Sequence, residues 1–298
     1  MPFDPPPIDP PKAAERPRAT TGTRFDVHLH LSQYWEGRPA TFYRDDLDFS
    51  VDGLLHELDG AGIGEGLLLQ LYASPNVPET LREGDELERA SSGRLWRSTT
   101  VDPTRGPEAV ADAITLWERT QGLTAIKLYP GYSPFYPHDP RLAPVYEFAA
   151  RRRLVVMVHQ GDTLTSDGLV KFARPIELDE VAVRFRDVRF VLCHLGSPWV
   201  EETAELVYKN ENVYTDTSGL CGPPRLPYYA RMVERARRRL ENLVVSVGAV
   251  DRILYGSDWP LEPIATAVDR ILGLPLSDEE KERILGGNAR RLFHRTPG

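Results

Sequence analysis

Four short apolar runs in this chain each end on a residue type that binds metal ions. His28 and His30 lie in FDVHLH, His159 closes LVVMVH, His194 closes RFVLCH, and Asp258 follows RILYGS. Imidazole nitrogens and carboxylate oxygens are the donors that hold zinc, iron or manganese. Side chains alternate along a strand, so His28 and His30 project to one face and can reach the same ion. The same parity predicts Asp26 inward with the histidines and Phe25, Val27 and Leu29 outward. An ion held in such a set lowers the pKa of bound water toward ~7 and polarises a carbonyl, which supports hydrolysis of an ester, lactone or amide. The chain carries no GxSxG elbow that would point to a serine nucleophile instead. In this scheme Asp258 takes the proton of the water and returns it to the leaving group. His194 is expected beside the ion, orienting the water or stabilising an oxyanion. Gly256, one inward position below Asp258, leaves room for close approach.

These residues are far apart in sequence, so a fold must gather them. One strand plus its crossover helix takes roughly 32 residues, and on that ruler the four runs fall on strands one, five, six and eight. Eight strands are predicted at 25–30, 66–71, 95–101, 124–129, 154–159, 189–194, 212–216 and 252–257. Amphipathic segments such as 108–121 and 176–187 separate them. Regular alternation selects a parallel α/β architecture buried on both faces. Eight units predict a closed (β/α)8 TIM barrel, in which all strand C-termini share one rim and catalytic residues gather there. An open nucleotide-binding sheet would show GxGxxG or GxxxxGK[ST] after an early strand, and neither occurs. The tail shows a capping box, Ser277 with Glu280, then Gly286 and Gly287, which are expected to break the helix before NARRLF closes the bottom or side of the barrel.

Residues 1–22 are rich in proline and poor in large apolar side chains, and read as an arm preceding a single domain, 23–298. The net charge of -8 opposes a polyanion-binding role, so nucleic acid is not an expected partner. No charged-then-apolar leader and no apolar run of ~18 residues is evident, which leaves a cytoplasmic expectation with no membrane partner. Two cysteines, Cys193 and Cys221, imply no disulfide framework, and Cys193 is expected to pack outward against a helix. A homodimer is expected on general grounds.

A small-molecule substrate would meet several residues near the rim. Trp35, Tyr34 and Tyr43 follow strand one, and Tyr129, Tyr132 and Tyr136 follow strand four; together they could wall a flat or cyclic ligand, or simply pack their loops. Lys171, Arg174 and Arg225 could recognise a carboxylate or be solvated charges. Lys127 stands at the strand-four rim, where it could bind a substrate carboxylate or pair with a buried acid.

With those residues in place, the chain resembles the amidohydrolase superfamily, in particular its amidohydrolase-related branch of metal-dependent hydrolases and decarboxylases. VHQGD, CHLGSPW, NVYTDTSGL, YGSDWP and NARRLF carry the resemblance, in order, from FDVHLH to the C-terminus. It implies one divalent ion, often zinc, with Mn2+ or Fe2+ as alternatives, on His28, His30, His159 and Asp258, with His194 beside the bound water; two-metal relatives carry a carboxylated lysine where Lys127 stands, so the resemblance also allows Lys127 as a bridge between two ions. A hydrolase of a small carboxylated or cyclic substrate is the expected activity. Its rivals are a non-oxidative decarboxylase of an aromatic or muconate-type acid and a metal-bearing binding protein without turnover.

Overall fold

The structure is a computed structural model, describing residues 24–31, 47–71, 77–222, 224 and 226–293. The arm, the tyrosine- and tryptophan-bearing stretch 32–46 and Arg225 therefore lie outside the described residues. Eight parallel strands follow one another in chain order around the sheet: β1 (Phe25–Leu29), β2 (Glu65–Leu68), β3 (Leu95–Thr100), β4 (Leu123–Leu128), β5 (Val155–Val158), β6 (Arg189–Leu192), β7 (Val213–Asp216) and β8 (Ile253–Leu254). Beyond β8 the chain runs on beside β1, where Val27 N donates to Tyr255 O (3.0 Å) and His30 N to Trp259 O (2.8 Å), closing the barrel.

Between the strands lie helices α1 (Val51–Ala61), α2 (Val77–Ala90), α3 (Pro107–Glu118), α4 (Ala143–Arg152), α5 (Asp179–Arg184), α6 (Val200–Lys209), α7 (Tyr229–Val247) and α8 (Ile264–Leu272). Their starts follow local chemistry: the Ser50 side chain accepts from Gly53 N ahead of α1, and proline occupies the first turn of α3 and α4. The predicted capping box forms at α9 (Asp278–Glu282). The two glycines after it do not break the chain. They lie in one π-helical turn, Arg283–Gly287, that runs directly into α10 (Asn288–Leu292).

Alternation along each strand sorts the apolar residues into two shells. Ala125, Met157 and Val191 belong to a cluster inside the barrel, while Ile126, Val156 and Phe190 pack beneath the helices. Ala289, Leu292 and Phe293 join the inner cluster, with Phe293 stacked on Phe25 at 6.1 Å, so the tail plugs the N-terminal end as expected.

Two parity expectations fail, each for a local reason. Phe25 and Val27 lie in the inner cluster and Leu29 in the outer one, because the β1–β2 register shifts between Asp26 and Leu29 and a bulge breaks the alternation. Cys193 points inward rather than under a helix: it continues the parity of Val191, and its Sγ lies 2.8 Å from Lys127 Nζ. β6 has already ended at Leu192, and the backbone then turns left-handed at His194 (φ 62°) and Leu195 (φ 51°), so consecutive residues both reach the interior. Among the described residues no helix is long and apolar enough to cross a membrane.

Candidate metal centre

The C-terminal rim brings His28, His30 and Asp258 together: Asp258 Oδ1 lies 3.5 Å from His28 Nε2 and 3.3 Å from His30 Nε2. All three are nearly or fully buried. What the other side of each ring touches decides which nitrogen is the ligand. His28 Nδ1 lies 2.8 Å from Asp216 Oδ2, an obligate acceptor, so the proton sits on Nδ1 and Nε2 is left as a lone pair. His30 Nδ1 donates to Leu69 O (2.9 Å) with the same result. Two imidazole lone pairs thus face one carboxylate oxygen, and His28 Nε2 is buried without a hydrogen-bond partner. Three converging acceptors repel one another unless a cation lies among them, so the donor set fits a divalent ion.

The electrostatics point the same way. Burial pushes the His28 imidazole down to about 3, with Lys127 adding to the effect and Asp216 opposing it, so the ring is neutral and free to ligate. Two glycines make room: a Cβ on Gly256 would come within 2.9 Å of His28 Cβ. One on Gly219 (φ 62°) would come within 2.5 Å of Asp258 Oδ2 and 2.9 Å of His194 Nδ1.

His194 sits beside this triplet, its ring 4.7 Å from that of His28 and its Nδ1 3.9 Å from Asp258 Oδ2. Its Nδ1 lies 2.9 Å from Ser218 Oγ and its backbone N–H donates to Asp216 Oδ1 (2.9 Å). His159 packs edge-on against His194, ring centroids 5.0 Å apart. It is not part of the three-atom cluster; its Nε2 lies 3.0 Å from Asp162 O, so the proton is there and Nδ1 is the free lone pair. A second group of possible ligands, His28, Cys193 and His194, shares His28 with the first.

The substrate-binding expectations divide. Tyr129 lies in the wall, stacked on His159 at 6.3 Å, with its hydroxyl donating to Gln70 O. Tyr132 also packs on His159, at 4.7 Å. Lys127, level with Met157 and so one inward layer below His159, is fully buried with Nζ on Cys193. Arg174 does not reach the site: its guanidinium pairs with Glu202 on α6 and lies over Trp199. Trp35 and Arg225 fall outside the described residues.

Asp216 and Ser218 are the residues to which sequence reasoning assigns no role. Asp216 Oδ2 binds His28, while Oδ1 accepts from His194 N, Ser218 N and Ser218 Oγ, so one carboxylate orients two histidines. The available signal was its place at the end of β7 on the parity of Tyr214, which packs on the inner cluster.

The chain matches the sequence profile of the family described as Amidohydrolase over residues 25–295. It belongs to the amidohydrolase family. A gamma-resorcylate decarboxylase from a Polaromonas strain is 34% identical over 86 residues, 29% of this chain and 22% of that protein's length. Among solved structures, a dihydroxybenzoic acid decarboxylase from Polaromonas with bound manganese and the inhibitor 2-nitroresorcinol has 18% identity and a TM-score of 0.68, covering 91% of this chain and 96% of its own. A probable 2-pyrone-4,6-dicarboxylic acid hydrolase from Acinetobacter baumannii, with citric acid bound, has 18% identity and a TM-score of 0.63, covering 91% and 99%. At these identities the structural likenesses establish the shared barrel fold of this amidohydrolase.

Proposed function

We propose that this amidohydrolase is a metal-dependent hydrolase of an ester, lactone or amide bond in a small, carboxylated or cyclic organic substrate. His28, His30 and Asp258 hold one divalent ion, with His159 Nδ1 completing the set; zinc is the first candidate, and the manganese in the dihydroxybenzoic acid decarboxylase makes Mn2+ the second. When bound, the ion polarises the substrate carbonyl and acidifies water. Asp258 takes the proton from the attacking water and returns it to the leaving group. His194, with Nδ1 spent on Ser218 and its backbone tied to Asp216, presents Nε2 to the water or the developing oxyanion. Tyr129 and Tyr132, packed on His159, wall a flat substrate.

The observation that carries hydrolysis is the placement of Asp258: one carboxylate oxygen faces His28 and His30 while the other lies 3.9 Å from His194 Nδ1, so a single side chain can reach both the ion and a water beside it. Decarboxylation instead needs a proton delivered to carbon, and the site offers no donor dedicated to that step apart from its own His194 and Asp258. A second reading, decarboxylation of an aromatic acid, is favoured by the 34% identity to the gamma-resorcylate decarboxylase.

Incubation of the metal-loaded protein with 2-pyrone-4,6-dicarboxylate and with 2,6-dihydroxybenzoate in oxygen-18 water separates the two. Label entering a product carboxylate supports hydrolysis. Stoichiometric carbon dioxide without label in the organic product overturns it in favour of the decarboxylase, and turnover of neither removes the support for both.

A further inference from the structure

We propose that Arg270 is a positioning residue for the metal centre, gripping at one point the two loops whose inner ends meet at Asp258. The proposal rests on the assignment of Asp258 as a ligand. Arg270 lies on the buried face of α8 among Ile264, Ala267, Val268 and Ile271, and is only 2% exposed. Its guanidinium binds both oxygens of the fully buried Glu262, at 2.8 and 3.0 Å, and its Nη1 also reaches Cys221 Sγ at 3.0 Å. Burying an ion pair removes two charges from water, and well-packed apolar residues of equal volume are often as stable. Stability alone therefore gives little reason for an arginine here; geometry gives one, because a two-oxygen grip fixes direction as well as distance.

Each partner lies at the outer end of a loop that bears on the site. Glu262 follows Asp258 in a turn closed by Leu261 N donating to Asp258 O (2.9 Å). Cys221 follows Gly219, whose backbone stands against Asp258 Oδ2 and His194 Nδ1. Neither loop belongs to a strand: β7 ends at Asp216 and β8 at Leu254. Asp258 itself holds a left-handed backbone (φ 64°), a conformation that persists in a non-glycine residue only when its surroundings over-determine it. One guanidinium thus ties the Asp216–Cys221 loop to the Asp258–Glu262 loop.

The test is Arg270→Lys, which keeps a positive charge beside Glu262 but cannot span both oxygens and the thiol. Cys221→Ala, which cuts only the tie to the first loop, serves if the lysine variant does not fold. Val110→Ala, in the buried face of α3, supplies a destabilised control. Zinc affinity is read by chelator competition well below each melting temperature, and the coordination geometry from the visible absorption of the Co2+-loaded protein. The expected result is zinc binding at least ~10-fold weaker and an altered Co2+ spectrum in Arg270→Lys or Cys221→Ala, with both unchanged in Val110→Ala. A folded tether variant with parental affinity and spectrum overturns the proposal, as does an equal loss in the control. Failure of the parent protein to bind zinc or cobalt refutes the metal assignment itself, a distinct result that takes this proposal with it.

Discussion

Replacing Asp216 by asparagine should convert the proposed ligand His28 into an obstacle without removing an atom of the candidate metal triplet. Asp216 Oδ1 accepts from His194 N (2.9 Å), Ser218 N (3.1 Å) and Ser218 Oγ, whereas Oδ2 accepts from the His28 Nδ1–H (2.8 Å). An asparagine amide therefore keeps its oxygen toward the three donors and turns its NH2 toward His28. Donor then faces donor. The imidazole relieves this by moving its proton to Nε2, the atom that faces Asp258 at 3.5 Å, and so loses the lone pair it offers an ion. A hydrogen bond to a charged group contributes about 1.5–3 kcal/mol. At about 1.4 kcal/mol per tenfold, that predicts a ten- to hundredfold loss of zinc affinity. Chelator competition on Asp216→Asn, with circular dichroism to establish folding, measures it. A folded variant with parental zinc affinity would refute the tautomer argument and the role given to Asp216.

Three further outcomes follow from the same geometry. Zinc at a hundredfold excess over its dissociation constant should stabilise the chelator-treated parent by about 2.7 kcal/mol, and His28→Ala should lose most of that shift; a melting temperature indifferent to zinc in the parent contradicts the metal centre. Gly219→Ala should fold yet lose metal binding and turnover, because its Cβ would meet Asp258 Oδ2 at 2.5 Å on a left-handed backbone; parental zinc affinity in this variant would show that the close approach does not matter. Burial pushes Asp26 up to about 7, so the folded chain holds that proton more tightly than the unfolded one, and this stabilisation is full at low pH and lost as pH rises through 7. In metal-free protein the stability of Asp26→Asn relative to the parent should therefore rise between about pH 4 and pH 8, since the variant keeps the Oδ1 acceptor used by His28 N and Ser257 N but does not ionise. A pH-independent difference in urea midpoints would contradict it.

The barrel was legible because its signal is repeated: eight apolar runs alternating with amphipathic segments leave few architectures, and residues at strand ends must then share a rim. His28, His30 and Asp258 could be placed from that rule alone. What the rule misses is local backbone. A bulge in β1 reverses the parity of Phe25 and Val27, and a left-handed turn after β6 lets Cys193 and His194 both face inward; neither is written in the alternation of residue types. Partners distant in sequence were equally hidden: Arg174 is taken by Glu202, and Lys127 by Cys193.

The deeper asymmetry lies between ligand and orienter. A histidine at a strand end announces itself by type, but which nitrogen it can offer an ion is defined by what its opposite nitrogen touches, and here that is Asp216 for His28 and Leu69 O for His30. The first comes from β7 and the second is a backbone carbonyl just beyond β2, a group every residue possesses and no motif can flag. Arg270 extends the point outward, since its residue type on an apolar helix face is visible in sequence, whereas its two loop partners become visible only once α8 is folded against them. The chemistry of such a centre is therefore specified in two registers: donor types by a few strand-end residues, and donor states by carboxylates, carbonyls and glycines drawn from neighbouring strands. A substitution in the second register can silence the site while every motif remains intact, which is the behaviour that Asp216→Asn, Gly219→Ala and Arg270→Lys are chosen to expose.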